Sequence, residues 1–116
     1  MIHCKQRIAS LQAAIPQISV QHAYEKQQDG ALIIDVRTEA EYHDKHIANA
    51  TYVGRDYLEM RIENLIPDYK HVIVVTCGGG TRSLFAAESL RQLGYQNVYN
   101  MTGGFRAWEQ EDLPTT

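Results

Sequence analysis

The chain has 116 residues, 44% of them hydrophobic and 22% charged, with 11 basic against 14 acidic side chains and a formal net charge of −3. That length supports one hydrophobic core rather than two, and the apolar fraction excludes a disordered chain. Slight acidity speaks against nucleic acid or an anionic membrane as partner. Two cysteines, Cys4 and Cys77, are too few for a disulfide scaffold or, by themselves, for a structural zinc site.

The N-terminal segment carries Lys5 and Arg7 and no long apolar run. It fits neither a signal peptide nor a membrane span, and the expected location is cytoplasmic. Cys4, Ile8, Leu11 and Ile15 form one helical stripe, which predicts an amphipathic helix ending before Pro16 with Cys4 packed on its apolar face. Residues 1–16 thus read as a helical extension to a domain at 17–116. A second helix is predicted from Val20 to about Gln28, stopped by Asp29-Gly30. Ala31 to Ile34 is a short continuous apolar run ending in Asp35, the mark of a strand buried on both faces. Thr38 and Glu41 have the spacing of a capping box and open a third helix. Ala50 to Val53 is a weaker strand, and Tyr57 to Leu65 a helix closed by Pro67. Val72 to Thr76, nearly all β-branched, is the strongest strand of the chain. After the glycines, Leu84, Ala87 and Leu90 mark a helix that ends at Gly94. Asn97 to Asn100 is a last short strand, and Gly103-Gly104 leads into a final helix through Trp108. Leu113 to Thr116 reads as a loose tail.

Strands alternate with helices, and the best strands are uniformly apolar. This pattern predicts an open, mostly parallel α/β sheet with helices on both faces. Ligands of such sheets bind beyond the carboxyl ends of the strands, which draws attention to the turns after Ile34 and after Thr76.

The second turn runs Cys77-Gly78-Gly79-Gly80-Thr81-Arg82 between a buried strand and a helix. Three glycines let the backbone curl and aim N–H groups inward. The helix start adds positive partial charge, and Arg82 adds a cation. All three favour an anion, and a thiolate is one, so Cys77 is expected to be the nucleophile. The competing reading is a buried structural cysteine before a glycine turn. A nucleotide-binding P-loop would need Lys and Ser/Thr after its last glycine, where this chain has Thr81-Arg82.

Here the sequence resembles the single-domain rhodaneses, the thiosulfate sulfurtransferase-like proteins, over roughly Ile18 to Pro114. Asp35-Val36-Arg37-Thr38 is similar to the family's first motif. Glu41-Tyr42 with His46-Ile47 and Ala50 is similar to its second, and Cys77 to Arg82 to its six-residue active-site loop. Gly94-Tyr95, Asn97-Val98-Tyr99, Gly103-Gly104-Phe105 and Ala107-Trp108 match its C-terminal motifs. The chain departs from the family pattern at Ala48-Asn49, where Pro and Gly are common, a change in a turn rather than at the nucleophile. The resemblance implies a three-layer α/β/α fold around a central, mostly parallel five-stranded sheet. It also implies sulfur transfer without a cofactor or metal. Cys77 would take the outer sulfur of thiosulfate or a persulfide, and pass it to cyanide, a thiol or a partner protein's thiol. N–H groups from Gly78, Gly79, Gly80, Thr81 and Arg82 would cradle the persulfide.

Other positions are read by their place. Asp35, ending a buried strand, is expected to support the site by holding the backbone of the cysteine loop or Arg82. Arg37 is expected to give structural support. Arg55, leaving a strand on the ligand side, is the candidate for a second substrate cation. His46 is read as a hydrogen-bonded structural residue, and Phe105 and Trp108 as core. The glycines put no cation directly after Cys77 to select a dianionic donor, so modest activity with thiosulfate is expected. Two alternatives compete: a cysteine-dependent phosphatase or arsenate reductase on a related fold, and a non-catalytic sulfur-carrier or binding module. The first needs a loop one residue longer and a carboxylic acid for its leaving group; against a binding module, as in family members that lack the cysteine, stands the retention of Cys77.

Overall fold

The computed structural model describes residues 4–116. Helix α1 (Cys4–Ala14) is followed by strand β1 (Gln17–Ile18), helix α2 (Val20–Gln28), strand β2 (Leu32–Asp35), helix α3 (Glu39–Asp44) and strand β3 (Thr51–Tyr52). A 3-10 turn over Arg55–Tyr57 runs into helix α4 (Leu58–Leu65). Strand β4 (Ile73–Thr76), helix α5 (Arg82–Leu93), strand β5 (Val98–Met101) and helix α6 (Gly104–Gln110) complete the chain.

The strands form one five-stranded sheet in the order β1-β5-β4-β2-β3, and every pairing is parallel. Parallel strands need crossovers, and the crossover helices bury both faces of the sheet. The alternation is visible in β2 and β4. Ile33 and Val74 pack with Val20, Ala23, Phe105 and Trp108 of α2 and α6. Ile34, Ile73 and Val75 pack with Leu58, Ile62, Leu84 and Leu90 of α4 and α5. Both faces being apolar, the strands read as continuous runs.

The predicted elements reappear with local causes. The Ser19 hydroxyl caps α2 by accepting from the His22 N–H, and the Thr38–Glu41 capping box at α3 is complete. Gly94 ends α5 in the left-handed region at φ 114°. Asn49 takes φ 67°, a conformation that asparagine tolerates in place of glycine.

One strand is added and two expectations are corrected. Strand β1 has no periodicity to read in two residues; it forms because Asn100 donates to the Pro16 carbonyl and Thr102 to that of Ile18. Cys4 is exposed, not packed. Burial rises along the helix from half-buried Ile8 to buried Leu11 and, just past its end, Ile15, so the first turn of α1 projects beyond the core. The C-terminal residues are not loose either. Ala48 donates to the Pro114 carbonyl, His46 and Thr116 exchange backbone hydrogen bonds, and the Trp108 indole donates to Pro114 at 2.9 Å. Those bonds are made across the chain by backbone groups, which side-chain composition does not reveal.

The winding reverses between β2 and β4: from β2 the chain steps outward to β3, then returns past β2 to β4 and on to β5. Asp35 pairs in register with Thr76 there, so the carboxyl ends of β2 and β4 open the crevice where this class of sheet binds ligands.

Candidate active site

Cys77 leaves β4 at this crevice and is 1% exposed. Its Sγ accepts the Gly80 N–H at 3.1 Å and the Ser83 N–H, from the first turn of α5, at 3.4 Å. Ser83 Oγ lies 3.4 Å from the sulfur and donates onward to Asn100 Oδ1, so an oxygen lone pair is left for a thiol proton. Asn100 in turn donates to Gln17 Oε1 at 2.9 Å and to the Gly80 carbonyl at 3.3 Å. A polar chain therefore runs from the buried sulfur across β5 to the exposed Gln17 of β1, and the loop can turn back on itself because Gly80 adopts φ 98°.

The loop's carbonyls are held by α6. Phe105 N–H donates to the Cys77 carbonyl at 2.7 Å and Arg106 N–H to the Gly78 carbonyl at 3.1 Å. This contact requires glycine at 104, where a Cβ would stand 2.5 Å from the Cys77 carbonyl oxygen.

Asp35 does not hold the cysteine loop or Arg82, as expected from sequence; its carboxylate is taken by Arg37. The Arg37 backbone N–H and Nε donate to Oδ1, both at 3.0 Å, and Nη2 donates to Oδ2 at 2.8 Å. The pair is buried, and a buried carboxylate needs a cation at contact distance, which the residue two positions on supplies. Arg37 also donates to the Lys45 carbonyl at 2.7 Å and lies 4.4 Å over the Phe105 ring. Phe105, beneath this guanidinium, is the residue whose N–H donates to the Cys77 carbonyl.

Arg82 is bound by Glu41, whose two carboxylate oxygens accept at 2.9 and 3.1 Å. Glu41 also accepts the Thr38 N–H at 3.0 Å. The Arg82 guanidinium above all, and then the Thr38 N–H, bring the Glu41 carboxyl down from 4.5 to about 2. The same partner raises Arg82 above its ordinary value.

The sequence matches the family model of the rhodanese-like domain over residues 19–111. The chain belongs to the rhodanese-like family. This rhodanese-like domain is 33% identical over 98 residues to the thiosulfate sulfurtransferase GlpE of Haemophilus influenzae (strain PittEE), a match covering 84% of this chain and 91% of that one. Among solved structures it resembles a rhodanese-related protein from Thermoplasma volcanium, with TM-score 0.77 and 29% identity over 87% of this chain and 97% of that one. It also resembles a Rhodopseudomonas palustris protein of unknown function described as a possible tyrosine phosphatase, with TM-score 0.89 and 24% identity over 100% and 96% of the two chains. At that identity the likeness concerns the fold alone.

In this rhodanese-like domain Gly78, Gly79, Gly80, Thr81 and Arg82 follow Cys77 into the start of α5. Arg55 lines a cleft of about 320 Å³ together with Arg82, Arg37, Tyr52 and Tyr57. There its guanidinium is engaged by Glu59, at 2.8 Å, and by Ser89 Oγ, at 2.9 Å. His46 stacks on Tyr42 and its Nδ1 lies 2.8 Å from the Tyr42 carbonyl; Phe105 and Trp108 are core. No group of three or more His, Cys, Asp or Glu among the described residues could hold a metal ion. Sequence reasoning missed Ser83, Asn100 and Arg106, and saw Glu41 only as a cap and part of a motif. Ser83 directly follows the Cys77–Arg82 loop, but Asn100 and Arg106 reach the site from β5 and α6 with no local signal.

Proposed function

We propose that this rhodanese-like domain is a sulfurtransferase working through a persulfide on Cys77. The observation that carries the reading is the setting of the Cys77 sulfur. It lies at the base of a loop with four residues before Arg82, taking two backbone N–H groups and no carboxylate. N–H groups and the start of α5 stabilise negative charge on sulfur, both in the thiolate and in the persulfide. The thiosulfate sulfurtransferase of H. influenzae named above supports the same reaction class.

The Cys77 thiolate attacks the outer sulfur of thiosulfate. A new S–S bond forms, the S–S bond of thiosulfate breaks, and its electron pair leaves on sulfite. Cys77 then carries a persulfide anion, and the total charge is unchanged. A cyanide or thiolate acceptor attacks the terminal sulfur, and the electron pair of the Cys77–sulfur bond returns to the thiolate. Sulfite leaves readily at neutral pH, so no general acid is required, in keeping with a loop free of Asp and Glu. Because Cys77 is nearly inaccessible, a slim terminal sulfur fits this site better than a tetrahedral phosphate. Arg82 contributes to the loop as a cation already shared with Glu41, and Arg55 faces the adjoining cleft, where it would meet the body of a larger donor.

Intact-protein mass spectrometry tests the reading. After exposure to thiosulfate the protein should gain one sulfur atom, lose it on treatment with cyanide, and show no gain in Cys77→Ser. Hydrolysis of an aryl phosphate without sulfur loading would overturn it.

A further inference from the structure

Three arginines line the cleft beside the cysteine loop, a fourth stands on the loop from α6, and their partners differ. Arg37 is neutralised by Asp35, Arg55 by Glu59 and Arg82 by Glu41. Arg106 is the exception. Its backbone N–H is fixed to the Gly78 carbonyl, so the residue is anchored on the cysteine loop itself. Its side chain is exposed and has no hydrogen bond, ion pair or ring contact among the described residues. The guanidinium stands over the middle of the loop: both terminal nitrogens are 3.8 Å from the point that a Cβ on Gly79 would occupy. The absence of a side chain at Gly79 leaves this space to Arg106, while the space over Gly78 is taken by Arg82, 3.1 Å from where a Cβ would stand. The loop has no cation of its own directly after Cys77, but α6 delivers one from outside.

We infer that Arg106 is a specificity-determining residue that grips the charged sulfonate end of an anionic sulfur donor. The inference rests on the sulfurtransferase reading. In the transfer step the outer sulfur enters toward Cys77, and the three-oxygen end remains at the loop's open side. A guanidinium there offers a planar fork of N–H donors to those oxygens and to the sulfite that departs. Arg82 is less suited, because Glu41 already occupies both arms of its fork. The modest thiosulfate activity expected from an all-glycine loop is therefore replaced by a preference for the dianion, set by α6.

The test compares two donors with the same outer sulfur but different charge at the other end: thiosulfate, a dianion, and methanethiosulfonate, whose methylsulfonyl end carries no net charge. Attack on either gives the Cys77 persulfide, with sulfite or methanesulfinate leaving with the electron pair. Loading is followed by intact mass, and turnover with cyanide, in wild type, Arg106→Ala and Arg106→Lys. Arg106→Ala should raise KM for thiosulfate roughly tenfold, the effect of losing one charge-assisted contact, with the maximal rate nearly kept. Its kinetics with methanethiosulfonate should change little, and Arg106→Lys should recover part of the loss. Equal effects on both donors, or no effect on either, would overturn the role of Arg106 while leaving the persulfide chemistry standing. Failure of the wild type to gain sulfur from either donor would instead overturn the sulfurtransferase reading, and this inference with it. Circular dichroism and urea midpoints like those of wild type are expected for both variants, since the side chain is exposed.

Discussion

Asp35 is fully buried, and its carboxylate accepts from Arg37 through the backbone N–H and the guanidinium. Burying two charges is costly, and their attraction roughly offsets the loss of water only while both are present. Asp35→Asn keeps the size but leaves the Arg37 cation without its counter-charge. We predict a loss of about 3–5 kcal/mol of stability, measured by urea denaturation; a change below about 1 kcal/mol would show that Arg37 finds water or another acceptor instead. The Ser83 hydroxyl illustrates the same rule for neutral groups. It lies between Cys77 and Asn100, both buried, so each polar atom in this chain has its partner within the protein.

Helices α3 and α5 begin at the same place in space, and Glu41 joins them. Its carboxylate completes the cap of α3 and clamps Arg82 in the first turn of α5. The consequence for pH follows from the lowered Glu41 pKa. In the unfolded chain the group titrates near 4.5 and in the folded protein near 2, so above 4.5 its contribution to stability is fully present. Between 4.5 and 2 the unfolded state binds more protons, and the contribution fades as pH falls. Urea midpoints of wild type and Glu41→Gln should therefore differ above pH 4.5 and converge toward pH 2; a constant difference across that window would count against the clamp. The pair is half-exposed, so the difference should shrink in high salt. Helix α6 acts on the loop from the other side, through the Phe105 and Arg106 amides on the Cys77 and Gly78 carbonyls.

At the scale of the molecule, α1 lies outside the residues matched by the rhodanese-like family model, yet it is part of the core. Leu11 and Ile15 join the cluster on the α5 face of the sheet, Arg7 reaches Glu88, and Arg91 of α5 donates to the Ala14 carbonyl. Leu11→Ala should cost about 2–5 kcal/mol by lost burial and the cavity left behind, read as a lower urea midpoint. Sulfur loading of the folded variant should match wild type, because α1 supplies no group to the loop. Slower loading under native conditions would mean that the packing of α1 on α5 also sets the position of the loop. No helix among the described residues is long and apolar enough to cross a membrane.

The sequence by itself determined the alternation of strands and helices, because β-branched apolar runs, caps and glycines act within a few residues of where they stand. It also singled out Cys77 as the candidate nucleophile: Cys77, its glycines and Arg82 are contiguous, and the strand before them and helix after them are both strong. Tertiary structure alone decided who partners whom. Asp35 could have served the loop, but Arg37 folds back onto it; Arg82 could have stood free, but Glu41 meets it from α3. Cys4 shares a helical stripe with Leu11, yet it is exposed, because burial depends on how far the neighbouring elements extend along the helix. Strand β1 and the C-terminal residues are held by backbone bonds to distant segments, which no local pattern records. Asn100 and Arg106 reach the loop around Cys77 only because a parallel sheet gathers the ends of its strands, and the helices that follow them, at one edge.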